Sequence, residues 1–584
     1  MVALVSAGEI SGCAPLSPIE SASKKAFAPL LGRLQSSARA PASSVSVGQE
    51  SPRIVIDASQ RLHSISPLIY GLAGGSETLS RQIRPALQRS GGNPASRYNW
   101  RIGNGWNAAR DWEFRNVNYG NTSEEARWPS GVADAFFLTN RVAGVTSLLT
   151  LPALGWVAKD DRNGSASLDV PADGRPPLAG HTNGAIAGYD PALNRLRTSV
   201  PSFARSGGSF SPTNAVYQDE WIRHLIGRFG QAAHGGVQFY AIDNEPDLWS
   251  FTHTDVHPAR MGYDAMLSTF LEYAGTVKDV DATAQVTGPV LSGWTAFFDS
   301  SLDKRDTKID FLLASRDREA HGNVAFLPWW LAQVQAHDDR TGRRSLDVLD
   351  VHWYGTGYGS GGDDPEVNRR RLRSTRSLWD SSYVDESWIA RTYDDEGVRG
   401  VVKLIPRLRG WIAKHYPGTK VGITEWNWGA DDTPNGALTI ADVLGIFGRE
   451  GVDLAAYWQA PKVGSPGALA FQAYRNYDGH NGQFGEVAIA AAVTHPDRLS
   501  CYASLDENRS EIISVVLNKD DSEPLKVVLN LKHGASNAVM EGFQYAAAQG
   551  TVLRPLPSTR LRDGGTILTL PSTSITVLRL FSNT

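Results

Sequence analysis

The hydrophobic positions between residues 65 and 490 fall into two alternating patterns. Short apolar runs are typical of strands covered on both faces, whereas apolar residues spaced three to four apart are typical of helices. Eight short runs occur, at 68–74, just before the Gly91-Gly92 turn, and at 145–156, 237–246, 284–291, 346–355, 420–429 and 454–461. This alternation predicts the α/β class, with eight parallel strands closed into a (β/α)8 TIM-like barrel.

The pattern changes after about residue 495, where short alternating strands are separated by polar turns with little helix. Such a pattern predicts an appended β-sandwich. The early stretch "RIVIDA" precedes the barrel pattern, and we expect it to join the sandwich. The predicted organisation is a leader or linker at 1–45, N-terminal sandwich strands at 46–64, a barrel at 65–490 with insertions at 158–213 and 356–400, and the sandwich at 491–584.

Two of the predicted barrel strands end in a glutamate. Glu245 closes the fourth run in "AIDNEP", where Pro246 cannot donate to a ladder, and Glu425 closes the seventh in "VGITEWNWG". The carboxyl ends of parallel barrel strands meet at one mouth, so these acids are expected to face each other. Either one alone could be an exposed or helix-capping acid. Together they favour cleavage of a glycosidic bond, with Glu245 as the proton donor.

Composition supports a sugar-binding cleft and excludes several other classes. The chain has 17 Trp, 18 Tyr and 19 Phe, and flat rings in loops suit stacking on sugars, with a core role as the alternative. A formal net charge of −4 indicates no nucleic-acid partner. Two cysteines are too few for a disulfide framework, and no apolar run could span a bilayer. The N-terminus is a poor signal peptide with a lipoprotein-like "ISGC", so we expect an extracellular or cell-envelope protein.

Several motifs together resemble glycoside hydrolase family 44, the endoglucanases and xyloglucanases of the retaining (β/α)8 clan. They are "DNEPDLW", "THTDVHP", "GGNPASRYNW" and "DVLDVHWY", and the match covers most of residues 50–584. The resemblance implies that Glu245 is the acid/base, that Glu425 is the nucleophile, and that Asn244 binds the sugar 2-hydroxyl. Arg101 after the Tyr-Asn-Trp motif and the tryptophans beside Glu425 depart from the family pattern and leave substrate preference open.

Other residues are candidates for substrate binding. His352 and Tyr354 alternate at the end of the sixth strand and could both face the site, although a hydrogen-bonded core histidine is an alternative. Trp458 would form a platform at the end of the eighth strand, with a core role as its alternative. The remaining predicted subsite residues are Tyr98, Asn99, Trp100 and Trp426.

The chemistry requires no metal or cofactor. His253, Asp255 and His257 alternate in "THTDVHP", but such residues in a loop are more often hydrogen-bonded than metal-bound. The acidic loop 361–366 could hold a structural calcium ion, and an ordinary solvated turn is the alternative.

The predicted function is that of a retaining endo-β-1,4-glucanase acting on cellulose-type glucan, xyloglucan or mixed-linkage glucan. An exo-acting β-glycosidase of the same clan and a catalytically silent carbohydrate-binding protein are the alternatives. A retaining mechanism requires the two carboxyl groups to lie about 5–5.5 Å apart, whereas an inverting one requires roughly 6.5–9.5 Å. The expected partner is a polysaccharide, and we expect the protein to be a monomer.

Overall fold

The computed structural model describes most of the chain after residue 50, namely residues 51–106, 116–118, 131–158, 189–190, 195–196, 216–253, 257, 259–303 and 316–582. The predicted leader and most of the predicted insertion at 158–213 lie outside these residues. Among the described helices, none combines the length and the apolar character needed to cross a bilayer.

The described strands, in chain order, are β1 Arg53–Ser64, β2 Gly71–Ala73, β3 Leu87–Ser90, β4 Asn104–Trp106, β5 Asn116–Asn118, β6 Thr146–Leu151, β7 Tyr189–Asp190, β8 Arg195–Leu196, β9 Phe239–Ile242, β10 Gln285–Leu291, β11 Val348–Tyr354, β12 Lys420–Asn427, β13 Leu454–Tyr457, β14 Val487–Val493, β15 Leu499–Asp506, β16 Glu511–Asn518, β17 Leu525–Lys532, β18 Val539–Ala546, β19 Arg554–Arg560, β20 Gly565–Leu570 and β21 Ser574–Phe581. The described α-helices are α1 Glu77–Ile83, α2 Gly131–Val142, α3 Gln218–Phe229, α4 Trp249–Thr252, α5 Tyr263–Val280, α6 Arg316–Ala320, α7 Phe326–Thr341, α8 Pro365–Arg373, α9 Leu404–His415, α10 Pro434–Glu450 and α11 Pro466–Arg475.

Eight parallel strands close into a barrel in the order β2, β3, β6, β9, β10, β11, β12, β13. Leu87, Leu148 and Phe239 belong to a core inside the barrel, while Tyr240 packs in the larger core beneath the helices. Because side chains on both faces of a strand are buried, each strand reads as a continuous apolar run. The barrel strands coincide with the eight predicted runs, and the predicted fold class, a (β/α)8 barrel with an antiparallel β-rich region, is confirmed.

The β-rich region is one sheet of nine strands in the order β19, β18, β21, β16, β15, β14, β1, β17, β20. Strand β1 pairs antiparallel with β14 and parallel with β17, so the first described strand lies inside a sheet made of the last ones. On β16, Ile512 and Val516 pack in the sheet's own core, whereas Ile513 and Val515 pack against the barrel core. This alternation buries the sheet on both faces.

A buried polar cluster joins the sheet to the barrel. Asp442 of α10 is 1% exposed and accepts hydrogen bonds from Tyr502 Oη at 2.7 Å and Thr375 Oγ1 at 2.7 Å. Its carboxylate also lies 3.0 Å from Lys519 Nζ. Burial alone would raise the pKa of Asp442, but the lysine charge and the hydroxyl donors outweigh burial and lower it. The aspartate is therefore ionised in the folded protein.

Candidate active site

The end of β9 holds its acidic residues in an uncommon backbone conformation. Asp243 has φ 59° and Glu245 has φ 44°, both in the left-handed region that residues other than glycine rarely adopt. The Asp243 carboxylate accepts the backbone N–H groups of Ala153 at 2.5 Å and Leu154 at 2.9 Å, and Glu245 N donates to Val290 O at 3.0 Å. These contacts with two neighbouring barrel strands hold Glu245 in a strained position, as is common at functional sites.

Glu425 on β12 is the second acid of the site. Its side chain is 5% exposed, and each oxygen accepts a hydrogen bond from a different neighbour. Arg89 Nη1 on β3 donates to Oε1 at 2.5 Å, and Tyr354 Oη on β11 donates to Oε2 at 2.6 Å. Charged and hydroxyl donors together hold the carboxylate in one orientation.

His352 lies between the two glutamates. Its Nδ1 is 2.9 Å from Glu245 Oε1 and 3.4 Å from Glu425 Oε2. One ligand atom from each of these three residues lies within 4.8 Å of the others, so one oxygen of each glutamate lies within that distance of the other glutamate. Three such donors could in principle hold a metal ion. The Arg89 guanidinium, 2.5 Å from Glu425, repels a cation and favours a hydrogen-bonded acid pair instead.

The site shifts the two glutamates in opposite directions. Burial raises the pKa of Glu245, the Glu425 charge raises it further, and the hydrogen bond and charge of His352 offset these effects only in part. Burial would also raise the pKa of Glu425, but the charges of His352 and Arg89 and the Tyr354 hydroxyl outweigh burial, so this pKa lies below its usual value. One glutamate therefore stays protonated at a pH where the other is ionised.

Arg89 and Asn93 were not identified from the sequence. Besides Glu425, Arg89 donates through Nη2 to Asn244 Oδ1 at 2.8 Å, and Asn244 Nδ2 donates to Asn93 Oδ1 at 3.0 Å. These bonds fix the orientation of the Asn244 amide beside Glu245. The sequence did contain a sign of the role of Arg89. A charged residue inside a buried strand almost always has a partner, so an arginine in the second barrel strand indicates a nearby acid.

The Gly91-Gly92 turn leaves room for the side chains of Arg89 and Trp458. A Cβ atom on Gly91 would lie 2.5 Å from Arg89 Cζ, and one on Gly92, at φ 88°, would lie 2.5 Å from Trp458 Cη2. The Arg89 guanidinium carbon is 5.9 Å from the centre of the Trp458 ring. The structure therefore places Trp458 beside Arg89, the residue that bonds to Glu425.

Tyr98, Asn99 and Trp100 were predicted to line a sugar subsite, and this assignment stays a prediction. All three are buried, and they contact α3, the residue before it and the segment that follows β6. Their contacts are the Tyr98 ring with the Trp221 ring at 5.5 Å, Trp100 Nε1 with Tyr217 O at 3.0 Å, and Asn99 Nδ2 with Ala158 O at 2.8 Å.

Trp426 was predicted to bind substrate, but the structure places it in the core. Its side chain is fully buried, and its ring lies 4.7 Å from the Tyr457 ring and 5.3 Å from the Phe447 ring. Successive side chains of a strand point to opposite faces. Since Glu425 points into the barrel mouth, Trp426 points outward under the helices.

Two loops carried weaker metal expectations. His253 is fully buried, His257 is partly buried, and Asp255 lies outside the described residues. In the acidic loop 361–366, Asp364 caps α8 by accepting the backbone N–H of Glu366 at 2.8 Å. Glu366 itself forms ion pairs with two arginines of α8.

Comparisons with known proteins find similarity to glycoside hydrolases. The model of glycoside hydrolase family 44 matches residues 105–357. Endoglucanase A of Paenibacillus lautus is 31% identical over 503 residues, which cover 84% of this chain and 66% of that protein, so the chain spans about two thirds of that relative. The structure is similar to that of CelM2, a bifunctional glucanase-xylanase protein from a metagenome library, with 34% identity and a TM-score of 0.79 over 91% of this chain and 99% of that one. It is also similar to a Paenibacillus polymyxa xyloglucanase from family 44, with 28% identity and a TM-score of 0.78 over 91% and 100% of the two chains.

Proposed function

Because the chain belongs to glycoside hydrolase family 44, we propose that it is a retaining endo-β-1,4-glucanase. Glu245 and Glu425 are its catalytic residues, and its substrates are β-glucan chains of the cellulose, xyloglucan or mixed-linkage type. The observation that carries this proposal is the acid pair itself. Its two carboxylates approach within 4.8 Å, and their pKa values are shifted apart.

In the first step, the ionised Glu425 attacks the anomeric carbon while protonated Glu245 gives its proton to the departing glycosidic oxygen. The bond between the anomeric carbon and that oxygen breaks, and a glycosyl ester forms on Glu425. Arg89 and Tyr354 hold the attacking carboxylate in place. Asn244, oriented by Arg89, is placed to bind the 2-hydroxyl of the same sugar.

In the second step, a water molecule attacks the ester and Glu245 accepts its proton, so the product keeps the β configuration. The electrostatics favour this exchange of roles. Once Glu425 is esterified its negative charge is gone, and one of the causes that raised the pKa of Glu245 disappears. Glu245 then becomes a better base at the moment a base is required.

The approach of the two carboxylates argues for retention over inversion. An inverting enzyme needs roughly 6.5–9.5 Å between its carboxyl groups to hold a water molecule. Oxygens of Glu245 and Glu425 lie within 4.8 Å, and His352 bonds to one and lies 3.4 Å from the other. Since polymeric substrates lie outside the cell, we place the enzyme in the extracellular space or the cell envelope.

The test is the Glu425→Ala variant assayed on soluble polysaccharides and on an activated aryl β-glycoside. Turnover should be lost because the attacking group is removed, and azide should restore cleavage of the activated substrate with an α-configured product. Glu511→Ala is the matched control, since Glu511 is also buried and lies 2.5 Å from an arginine, Arg579, but in the sheet. It should keep the wild-type kcat.

An active Glu425→Ala variant would contradict the assignment of the nucleophile. Wild-type product analysed by proton NMR during the first minutes should show the β-anomer before mutarotation. If the α-anomer forms first, the mechanism is inverting and the proposed roles are wrong.

A further inference from the structure

Exposed aromatic side chains are concentrated in one segment of the described chain. Three described aromatic residues have more than a third of their surface open to solvent: Tyr358 at 37%, Trp388 at 49% and Tyr393 at 52%. All three lie between β11 and α9. Val384 and Val398 in the same segment are exposed by 52% and 40%. We call Val384, Trp388, Tyr393 and Val398 the loop platform.

The loop platform belongs to the same barrel mouth as the acid pair. It lies in the long connection that leaves β11, passes through α8 and reaches α9, and the connections that leave barrel strands start at the carboxyl end of the barrel. Thr356, two residues after Tyr354, bonds through Oγ1 to Asp385 at 3.5 Å. Counting 3.8 Å for each residue of chain, the Cα of Trp388 lies no more than roughly 30 Å from that of Tyr354. The platform is therefore within the span of one bound polymer chain.

Neighbouring elements hold this segment in a fixed shape. Arg407 of α9 donates to Asp394 Oδ2 at 2.6 Å, and both side chains are nearly fully buried, at 2% and 0% exposure. Trp294, which follows β10, donates from Nε1 to Thr392 Oγ1 at 2.9 Å. Rings on a rigid loop lose little conformational entropy when a ligand binds, so they are suited to recognition.

Neighbouring groups support the Tyr393 ring and the turn that carries Trp388. The Arg399 guanidinium lies over the Tyr393 ring, 5.9 Å from its centre, so one face is supported while half of the side chain stays exposed. Trp388 begins a 3-10 turn capped by the Ser387 hydroxyl and anchored by the buried side chain of Ile389. An amphipathic ring held in this way offers an apolar face beside polar groups.

We propose that Trp388 and Tyr393 bind the sugar rings of a β-glucan chain whose other end occupies the acid pair. This inference rests on the proposed function. A glucan is favoured as the occupant because the platform lies in the same connection as Thr356, two residues beyond Tyr354 of the acid site, and because its exposed rings suit stacking on sugars. The platform adds affinity for long chains and takes no part in bond cleavage.

The experiment compares Trp388→Ala/Tyr393→Ala with wild type on long soluble β-glucans and on a short aryl β-cellobioside that fills only the cleavage centre. The KM for the polymers should rise roughly three- to tenfold, with kcat unchanged, because stacking contacts of this size are lost. Cleavage of the aryl cellobioside should stay within twofold of wild type. Trp388→Phe/Tyr393→Phe should retain most of the polymer affinity.

Ile567→Ala is the control, since Ile567 is 70% exposed on β20 of the sheet, and it should leave every constant unchanged. An unchanged polymer KM in the double alanine variant would overturn the inference and leave the proposed function standing. An equal loss on the aryl cellobioside would also overturn it, because the residues would then shape the cleavage centre. If wild type cleaves no polysaccharide, the proposed function and the inference fail together.

Discussion

The ion pair between Arg89 and Glu425 is the feature whose removal has the most consequences. The Arg89→Met variant keeps much of the side-chain volume but removes the charge and both hydrogen bonds, to Glu425 and to Asn244. Glu425 is then left buried without its cation. Its pKa should rise, because the arginine charge is one of the causes that lower it.

Burial decides how large the effect is. Arg89 and Glu425 are 0% and 5% exposed at a separation of 2.5 Å, and removing one partner of a buried pair costs about 3–5 kcal/mol. Arg61 and Glu507 lie at the same 2.5 Å but are 58% and 47% exposed, and such surface pairs contribute less than about 1 kcal/mol. Loss of two charge-assisted hydrogen bonds at the site should lower kcat/KM by about 10²–10⁴-fold.

Urea unfolding at pH 7, followed by tryptophan fluorescence, measures the stability part of this prediction. Arg89→Met should lose about 3–5 kcal/mol, whereas Arg61→Met should lose less than about 1 kcal/mol. Arg89→Met/Glu425→Gln should recover a large part of the loss, because no charge is left buried without a partner.

Activity as a function of pH measures the catalytic part. As the proposed nucleophile, Glu425 must be ionised to attack, and its folded pKa is lowered, so the acid limb of kcat/KM should lie below the ordinary glutamate range in wild type. The limb should move to higher pH in Arg89→Met. If the limb stays in place and the double variant is as unstable as the single one, the two residues are not coupled and the reasoning is refuted.

Three further predictions follow from described contacts. Tyr354→Phe removes a donor to Glu425, so kcat should fall about 10–100-fold and the acid limb should move to higher pH in the same assay. Asp442→Asn should lower the free energy of unfolding by about 3 kcal/mol at pH 7. Since the folded pKa of Asp442 is lowered, its contribution to the free energy of unfolding is present above its unfolded pKa and is lost as the pH falls through its folded pKa. Urea titrations should therefore show the difference between the variant and wild type shrinking below about pH 4. Gly92→Ala adds a Cβ 2.5 Å from Trp458, and should cost about 1–3 kcal/mol in thermal or urea unfolding.

The barrel was predictable because its strands are buried on both faces and therefore have an unusually plain sequence pattern. The acid pair was predictable for a related reason. A glutamate directly after such a run, as at Glu245 and Glu425, must lie at the barrel mouth whatever the loops do. Neither prediction depended on how distant loops are folded.

The contacts of the predicted subsite residues depend on local geometry that the sequence does not show. Tyr98 and Trp100 follow the glycine turn, but the 3-10 turn Asn93–Arg97 intervenes, and they contact Trp221 and Tyr217 while Asn93 bonds to Asn244. Trp426 lies on the same side as Ile423 because a register shift in β12 between Ile423 and Glu425 interrupts the strand alternation, and the sequence does not show this shift. Arg89 could not be assigned a role from sequence, because its partners come from β9 and β12 and their meeting depends on barrel closure.

The position of β1 has a consequence for biosynthesis. Among the described strands, the antiparallel pair β17 and β20 is hydrogen-bonded to the remaining sheet through β1, which is translated more than four hundred residues before its partner β14. During synthesis both edges of β1 stay unpaired while the whole barrel emerges and folds, and long-range pairings of this kind form slowly. The sheet can be completed only once its C-terminal strands have left the ribosome, so the first described strand is among the last to find its place.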